Sequence, residues 1–155
     1  MKKFKIMSTR IKTLNPETTT GKSKELFDAV NKKLGFIPNL IKVLGNSPAT
    51  LQAYLNLSEL TGSGNFSNKF REQLALAVGE TNSCNYCLSA HTAIGKMNGL
   101  TEEETQENRK GLSSDAKTQT GLAFAQKITE TRAQVSGDDI AAAKAAGYND
   151  EDLLE

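Results

Sequence analysis

The only two cysteines and the only histidine among 155 residues, Cys84, Cys87 and His91, fall in one stretch, Glu80-Thr81-Asn82-Ser83-Cys84-Asn85-Tyr86-Cys87-Leu88-Ser89-Ala90-His91. A Cys-x-x-Cys pair can cycle between dithiol and disulfide, because three residues of helix bring the two side chains within bonding reach. Redox chemistry is therefore the first expectation. With Cys84 in the first turn of a helix and Cys87 at the end of that turn, orphan backbone amides and the positive end of the dipole stabilise a thiolate, the nucleophilic form. His91 lies four residues beyond Cys87 and seven beyond Cys84, so its imidazole returns to the same face after one and two turns. There it can take a thiol proton or pair with the resulting thiolate.

A proton relay also needs a carboxylate, and Glu72 and Glu80 both precede the pair. Glu80 sits just before the turn between two helices, where it can simply be solvated. Glu72 shares its helix face with Ala75, Leu76 and Gly79, which draws it toward the apolar interior and makes it the preferred partner. Tyr86, between the cysteines, can donate a hydrogen bond but is a weak proton carrier at neutral pH. The blander readings are two small buried cysteines beside a satisfied core histidine, or a metal site. Structural zinc takes four ligands, so this set would have to be completed across a subunit interface.

The elements that must hold these groups are helical. Leu26, Phe27, Val30 and Leu34 recur at helical spacing from Ser23, a plausible N-cap, to Gly35, where a left-handed C-terminal residue is wanted. A short apolar segment, Leu40 to Leu44, ends at Gly45. Ser47-Pro48 then pairs an N-cap with a first-turn proline ahead of Leu51, Tyr54, Leu55 and Leu57, to about Leu60. Thr61-Gly62-Ser63-Gly64-Asn65 reads as a flexible linker. Its two glycines lack the preceding strand and third glycine of a nucleotide-binding loop. Ser67 caps the next helix, whose Phe70 to Gly79 run is apolar nearly all round and so belongs at the centre of a bundle. Asn82 or Ser83 should cap its successor, running from Cys84 to Met97 or Asn98 and stopping at Gly99.

Thr101-Glu102-Glu103-Glu104 has capping-box spacing and opens a short solvated helix. A further helix is expected over roughly Asp115 to Arg132, with Leu122, Ala125 and Ile128 inward, and another from Ser136 through Ala146 to Gly147. Asn149-Asp150-Glu151-Asp152 starts a helix of which only Leu153, Leu154 and Glu155 follow: either one docked turn, or a chain that once ran further. No stretch alternates like a strand, so the class is all-α.

Composition narrows the partners. Nineteen Lys and Arg are spread among 18 Asp and Glu, for a net charge of +1, so no field of one sign exists to hold nucleic acid or an acidic membrane. The basic start Met1-Lys2-Lys3-Phe4-Lys5-Ile6-Met7 is interrupted by Ser8, Thr9, Arg10 and Lys12 where a signal peptide needs its apolar core. Two cysteines three apart suit the cytosol better than a secreted disulfide framework. The length fits a single domain, residues 1–155, with 1–22 as a polar N-terminal arm.

The pattern Glu72, Cys84, Tyr86, Cys87, His91, a Glu twelve residues before a Cys-x-Tyr-Cys-x-x-x-His, resembles the alkylhydroperoxidase D and carboxymuconolactone decarboxylase family, specifically its peroxidase-related branch. The likeness runs from Gly35-Phe36-Ile37-Pro38-Asn39-Leu40 through Gly99-Leu100-Thr101 and, more loosely, to Ala145-Ala146-Gly147-Tyr148. It implies an AhpD-like helical bundle, assembly into trimers or hexamers, and thiol peroxidase activity. By the same resemblance Cys87 attacks the peroxide and becomes a sulfenic acid, Cys84 resolves it to a disulfide, and Glu72 and His91 relay protons. The best-known members carry a histidine where this chain has Tyr86.

Three functions are thus in play. A thiol peroxidase loses activity with Cys87→Ser. A lyase of the carboxymuconolactone decarboxylase kind keeps turning over without either cysteine. A non-enzymatic stress-response protein forms no disulfide after peroxide treatment. No nicotinamide or flavin motif is visible and no cofactor is expected. The peroxidase therefore implies a hydroperoxide substrate, with the Phe36 to Leu44 segment a candidate pocket wall. It also implies an external dithiol reductant: a lipoyl protein, a thioredoxin-like protein or a small thiol.

Overall fold

The computed structural model describes residues 10–155, which form nine α-helices and no strand. The interrupted basic start at Met1–Met7 and the first part of the arm lie outside the described residues. The all-α expectation is met. The helices group into two compact units, one ending at Ser63 and the other spanning Gly64–Glu155, and the division falls inside the Gly-Ser linker.

The first unit holds α1 (Gly21–Leu34), α2 (Asn39–Leu44) and α3 (Pro48–Gly62). Its core is Leu26, Phe27 and Val30 of α1 with Ile41 of α2 and Leu51 of α3. Helix α1 starts three residues earlier than its sequence suggests, behind Thr20. Ser23 does not cap it: the buried hydroxyl donates to the Gly45 carbonyl oxygen at 2.6 Å, a tertiary bond that satisfies both groups away from water. Gly35 takes the left-handed conformation at φ 78°, and Ser47 accepts from the Thr50 amide ahead of Pro48, both as their residue types require. The described part of the arm runs along α2, with the Leu14 amide donating to the Lys42 carbonyl.

The second unit holds α4 (Asn68–Thr81), α5 (Asn85–Met97), α6 (Glu102–Arg109), α7 (Ala116–Thr131), α8 (Gly137–Ala145) and α9 (Asp150–Leu154). Helix α4 is its hub and packs against α5, α6 and α7, which is why its sequence is apolar nearly all round. Leu76 of α4, Leu88 of α5 and Leu100 form the cluster on one side. On the other side Phe70, Leu74 and Val78 approach Gly121, Phe124 and Ile128 of α7. Tyr148 is buried beneath Lys117, whose ammonium stands 4.8 Å from the ring centroid. Capping boxes at Thr101, Ser136 and Asn149 open α6, α8 and α9. No helix among the described residues is long and apolar enough to cross a membrane.

Candidate functional site

The site is built at the sharp turn between α4 and α5. Helix α4 ends in a Schellman motif: the Ser83 amide donates to the Glu80 carbonyl at 2.8 Å and the Cys84 amide to the Gly79 carbonyl at 2.9 Å. The motif needs a left-handed residue, and here it is Ser83, at φ 52°. Helices α5, α6 and α8 end with the same pair of bonds around Gly99, Gly111 and Gly147. At the candidate site a serine stands where those three helices use glycine, as Arg132 does at the end of α7, at φ 55°.

This turn shifts the helix start by one residue. Asn82 closes α4 and Ser83 is left-handed, so neither caps α5 as their residue types suggest. Cys84 itself is the N-cap rather than a first-turn residue, with φ −89° and ψ 88°, and its Sγ accepts the Cys87 amide hydrogen at 3.2 Å. A sulfur thus takes the role that a serine or aspartate oxygen usually fills. Cys84 and Cys87 are joined by a disulfide, their Cα atoms 5.3 Å apart. Both are half-buried, and Tyr86 between them is 47 % exposed.

Cys87 lies on the side of α5 that faces α4. A β-carbon at Gly79 would stand 3.4 Å from the Cys87 Cβ and 3.4 Å from Leu88 Cδ2, so the missing side chain lets the two helices close at the redox pair. One turn along α5, His91 Nδ1 lies 2.7 Å from Glu72 Oε2. Glu72 is 15 % exposed at its side chain and His91 34 %, so the pair is partly withdrawn from water while the ring keeps an open edge. With the imidazole neutral, Nδ1–H donates to the carboxylate and Nε2 keeps its lone pair as a proton acceptor. Gly95, one turn beyond His91, admits the glutamate stem: a β-carbon there would lie 3.5 Å from Glu72 Cβ.

The structure therefore brings Glu72 to His91 and Cys84 to Cys87. It takes Glu80 elsewhere, to Arg109 of α6, with Nε 2.6 Å from Oε2. Arg109 also borders a shallow polar depression of about 340 Å³ beside the start of α5, lined by Asn85, Leu88, Ser89, Thr92 and Gln106. The parts played here by four residues were not foreseen from the sequence. Gly79, Gly95 and Arg109 act through helix-to-helix contacts that no local motif marks. Ser83 had a usable signal, since the only helix end next to the cysteines lacks the glycine that closes α5, α6 and α8.

A sequence model described as the carboxymuconolactone decarboxylase family matches residues 48–127, which include Glu72, both cysteines, Tyr86 and His91. No curated protein matches the chain. Among solved structures, an uncharacterized peroxidase-related protein from Silicibacter sp. TM1040 is 25 % identical, with a TM-score of 0.80 over 94 % of this chain and 82 % of that one. An alkylhydroperoxidase AhpD core, an uncharacterized peroxidase-related protein from Ralstonia eutropha JMP134, shares the fold at 24 % identity, with a TM-score of 0.80 over 94 % of this chain and 79 % of that one. With the family pattern matched across more than half of its length and the helical fold shared with peroxidase-related proteins, the chain belongs to the carboxymuconolactone decarboxylase family, in its AhpD-like form.

Proposed function

We propose that the protein is a thiol-dependent peroxidase that reduces hydroperoxides through a dithiol/disulfide cycle of Cys84 and Cys87. The observation that carries the reading is one arrangement: a Cys-x-x-Cys pair bonded at a helix N-terminus, one turn ahead of a histidine that is hydrogen-bonded to a carboxylate at 2.7 Å. A buried structural staple would not need a histidine–glutamate pair on the next turn.

In the reduced protein, His91 Nε2 takes the Cys87 proton while Glu72 holds the imidazolium that forms. The Cys87 thiolate attacks the terminal peroxide oxygen: an S–O bond forms, the O–O bond breaks, and the alkoxide leaves with the proton from His91. The product is an alcohol and a Cys87 sulfenic acid. The Cys84 thiolate, favoured by its cap position and the Cys87 amide, then attacks the Cys87 sulfur and expels hydroxide, which is protonated to water. An external dithiol reduces the disulfide and returns the enzyme to its starting state. The polar depression beside Asn85 offers that reductant a landing surface next to Cys84. Tyr86, between the two cysteines in sequence and half-exposed, would donate a hydrogen bond to an incoming peroxide rather than carry its proton. We place the working form in a homo-oligomer, a trimer or hexamer, as the resemblance implies.

The deciding experiment adds one equivalent of an organic hydroperoxide to fully reduced protein. Thiol loss is followed over time, and the peptide from Arg71 to Lys96 is mapped by mass spectrometry. The reading expects two thiols lost per peroxide, a Cys84–Cys87 disulfide, and no peroxide consumption by Cys87→Ser. Consumption unchanged in Cys87→Ser would overturn it, and turnover of a lactone diacid by the double cysteine variant would favour a lyase instead.

A further inference from the structure

Within the second unit, on the side of α4 turned away from Glu72, lies a cavity of about 240 Å³. Phe70, Leu74 and Val78 of α4, Phe124 and Ile128 of α7 and Leu153 of α9 form most of its wall. These α4 residues recur every four positions, whereas Glu72 and Gly79 sit on the opposite side of the same helix. The redox pair therefore makes no use of this space.

The polar groups that border the cavity each make a hydrogen bond to the protein. Thr129 Oγ1 donates to the Ala125 carbonyl at 2.8 Å, and Tyr148 Oη to the Lys117 carbonyl at 2.9 Å. Asp152 Oδ2 accepts the Asn149 amide at 2.9 Å, and the Glu155 carboxylate accepts the Asn65 amide at 2.7 Å. The rest of the lining is apolar, and apolar cavities take apolar guests; one of about 150 Å³ in another protein holds benzene. This cavity is larger by more than half, and rings dominate one end of it. Phe66 meets Phe70 edge-on at 4.9 Å, and Phe70 stacks with Tyr148 at 6.1 Å. The two carboxylates, Asp152 and Glu155, line it with negative charge and so disfavour an anionic guest.

We infer that this cavity is a second binding site, separate from the cysteine pair, for a neutral apolar molecule of one- or two-ring size. Its walls supply dispersion contact and aromatic faces, and no hydrogen bond is asked of the ligand. The inference stands apart from the peroxidase reading, because binding here involves neither cysteine nor His91.

The test is a titration of the methyl-labelled protein with naphthalene, followed by NMR. Saturable shifts are expected at the Leu74, Val78, Ile128 and Leu153 methyl groups, while those of the first unit stay still. Ala125→Leu puts a side chain into the cavity and should weaken binding by about tenfold or more, and 2-naphthoate should bind about tenfold more weakly than naphthalene. Should Ala125→Leu fail to fold, Val78→Phe fills the same space from α4. The inference is overturned by the absence of saturable shifts up to the solubility limit of naphthalene, by shifts at other methyl groups, or by a folded filling variant that binds as the parent does.

Discussion

Replacing Glu72 with glutamine removes the charge from the His91 partner and changes little else in shape. The parent contact is a 2.7 Å bond between the imidazole Nδ1 and a carboxylate that is only 15 % exposed. A hydrogen bond to a charged group is worth about 1.5–3 kcal/mol, more than a neutral one. Because the His91 side chain is 34 % exposed, solvent weakens the effect toward the lower half of that range. At about 1.4 kcal/mol per decade, the loss corresponds to roughly 10- to 40-fold in the rate of peroxide consumption. Glutamine also brings an amide N–H₂ that can donate to Nδ1. The ring then takes the tautomer with its proton on Nε2, where it can no longer receive the Cys87 proton. The assay is single-turnover oxidation of the reduced protein by an organic hydroperoxide, read as loss of thiols, with circular dichroism to verify the fold. Glu80→Gln is the control, since Glu80 pairs with Arg109 rather than with the histidine. A Glu72→Gln rate within about twofold of the parent, in a protein that Cys87→Ser inactivates, would refute the role of Glu72 as the orienting carboxylate.

Ser83→Gly should raise the stability of the oxidised protein by about 0.5–1 kcal/mol in urea denaturation: relief of a left-handed non-glycine residue is worth roughly 1–2 kcal/mol, offset in part by the looser unfolded chain. A lower stability would mean that φ 52° carries no strain there. Tyr148, with its phenol pushed up to about 12 chiefly by burial and then by the charges of Asp115 and Asp152, should give an ionisation step well above the ordinary 10 by ultraviolet absorbance, and Tyr148→Phe should remove it. Because its folded value is raised above the ordinary 10, the stability it contributes is fully present below pH 10 and is lost as the pH climbs toward 12, so Tyr148→Phe should flatten that alkaline fall. Leu76→Ala should cost about 2–5 kcal/mol in the same denaturation experiment, since the side chain is fully buried between α4 and α5. A loss below about 1 kcal/mol would show that the two helices collapse onto the cavity.

Local chemistry made most helix ends legible. Pro48 behind Ser47, Ser67, the Thr101 box, Asp115, the Ser136 box and the Asn149 box all stand where a residue type satisfies the first orphan amides of a helix without help from the rest of the fold. The same is true of the spacing of Cys84, Cys87 and His91, because one helix carries Cys87 and His91 and has Cys84 at its cap, so that its period sets their register. Misreadings arose where a side chain had a better partner far away in sequence. Ser23 looked like a cap, but its hydroxyl bonds across to Gly45. Asn82 and Ser83 looked like caps, but they are consumed in closing the preceding helix, and that displaced the cap onto Cys84.

The choice between Glu72 and Glu80 shows the same division. From sequence they are two glutamates on one helix, eight residues apart, and the apolar company of Glu72 was the only local reason to prefer it. What each carboxylate meets depends on which helix packs against its side of α4. Glu72 faces α5, where Gly95 leaves room for its stem, and so reaches His91; Glu80 faces α6 and is taken by Arg109. The helices, most of their caps and the redox spacing could be read from residue order, because these depend on interactions within a few residues along the chain. The partner of His91, the cap role of Cys84, the close approach at Gly79 and the apolar cavity behind α4 could not, because each depends on the distance between helices that the chain brings together only when it packs.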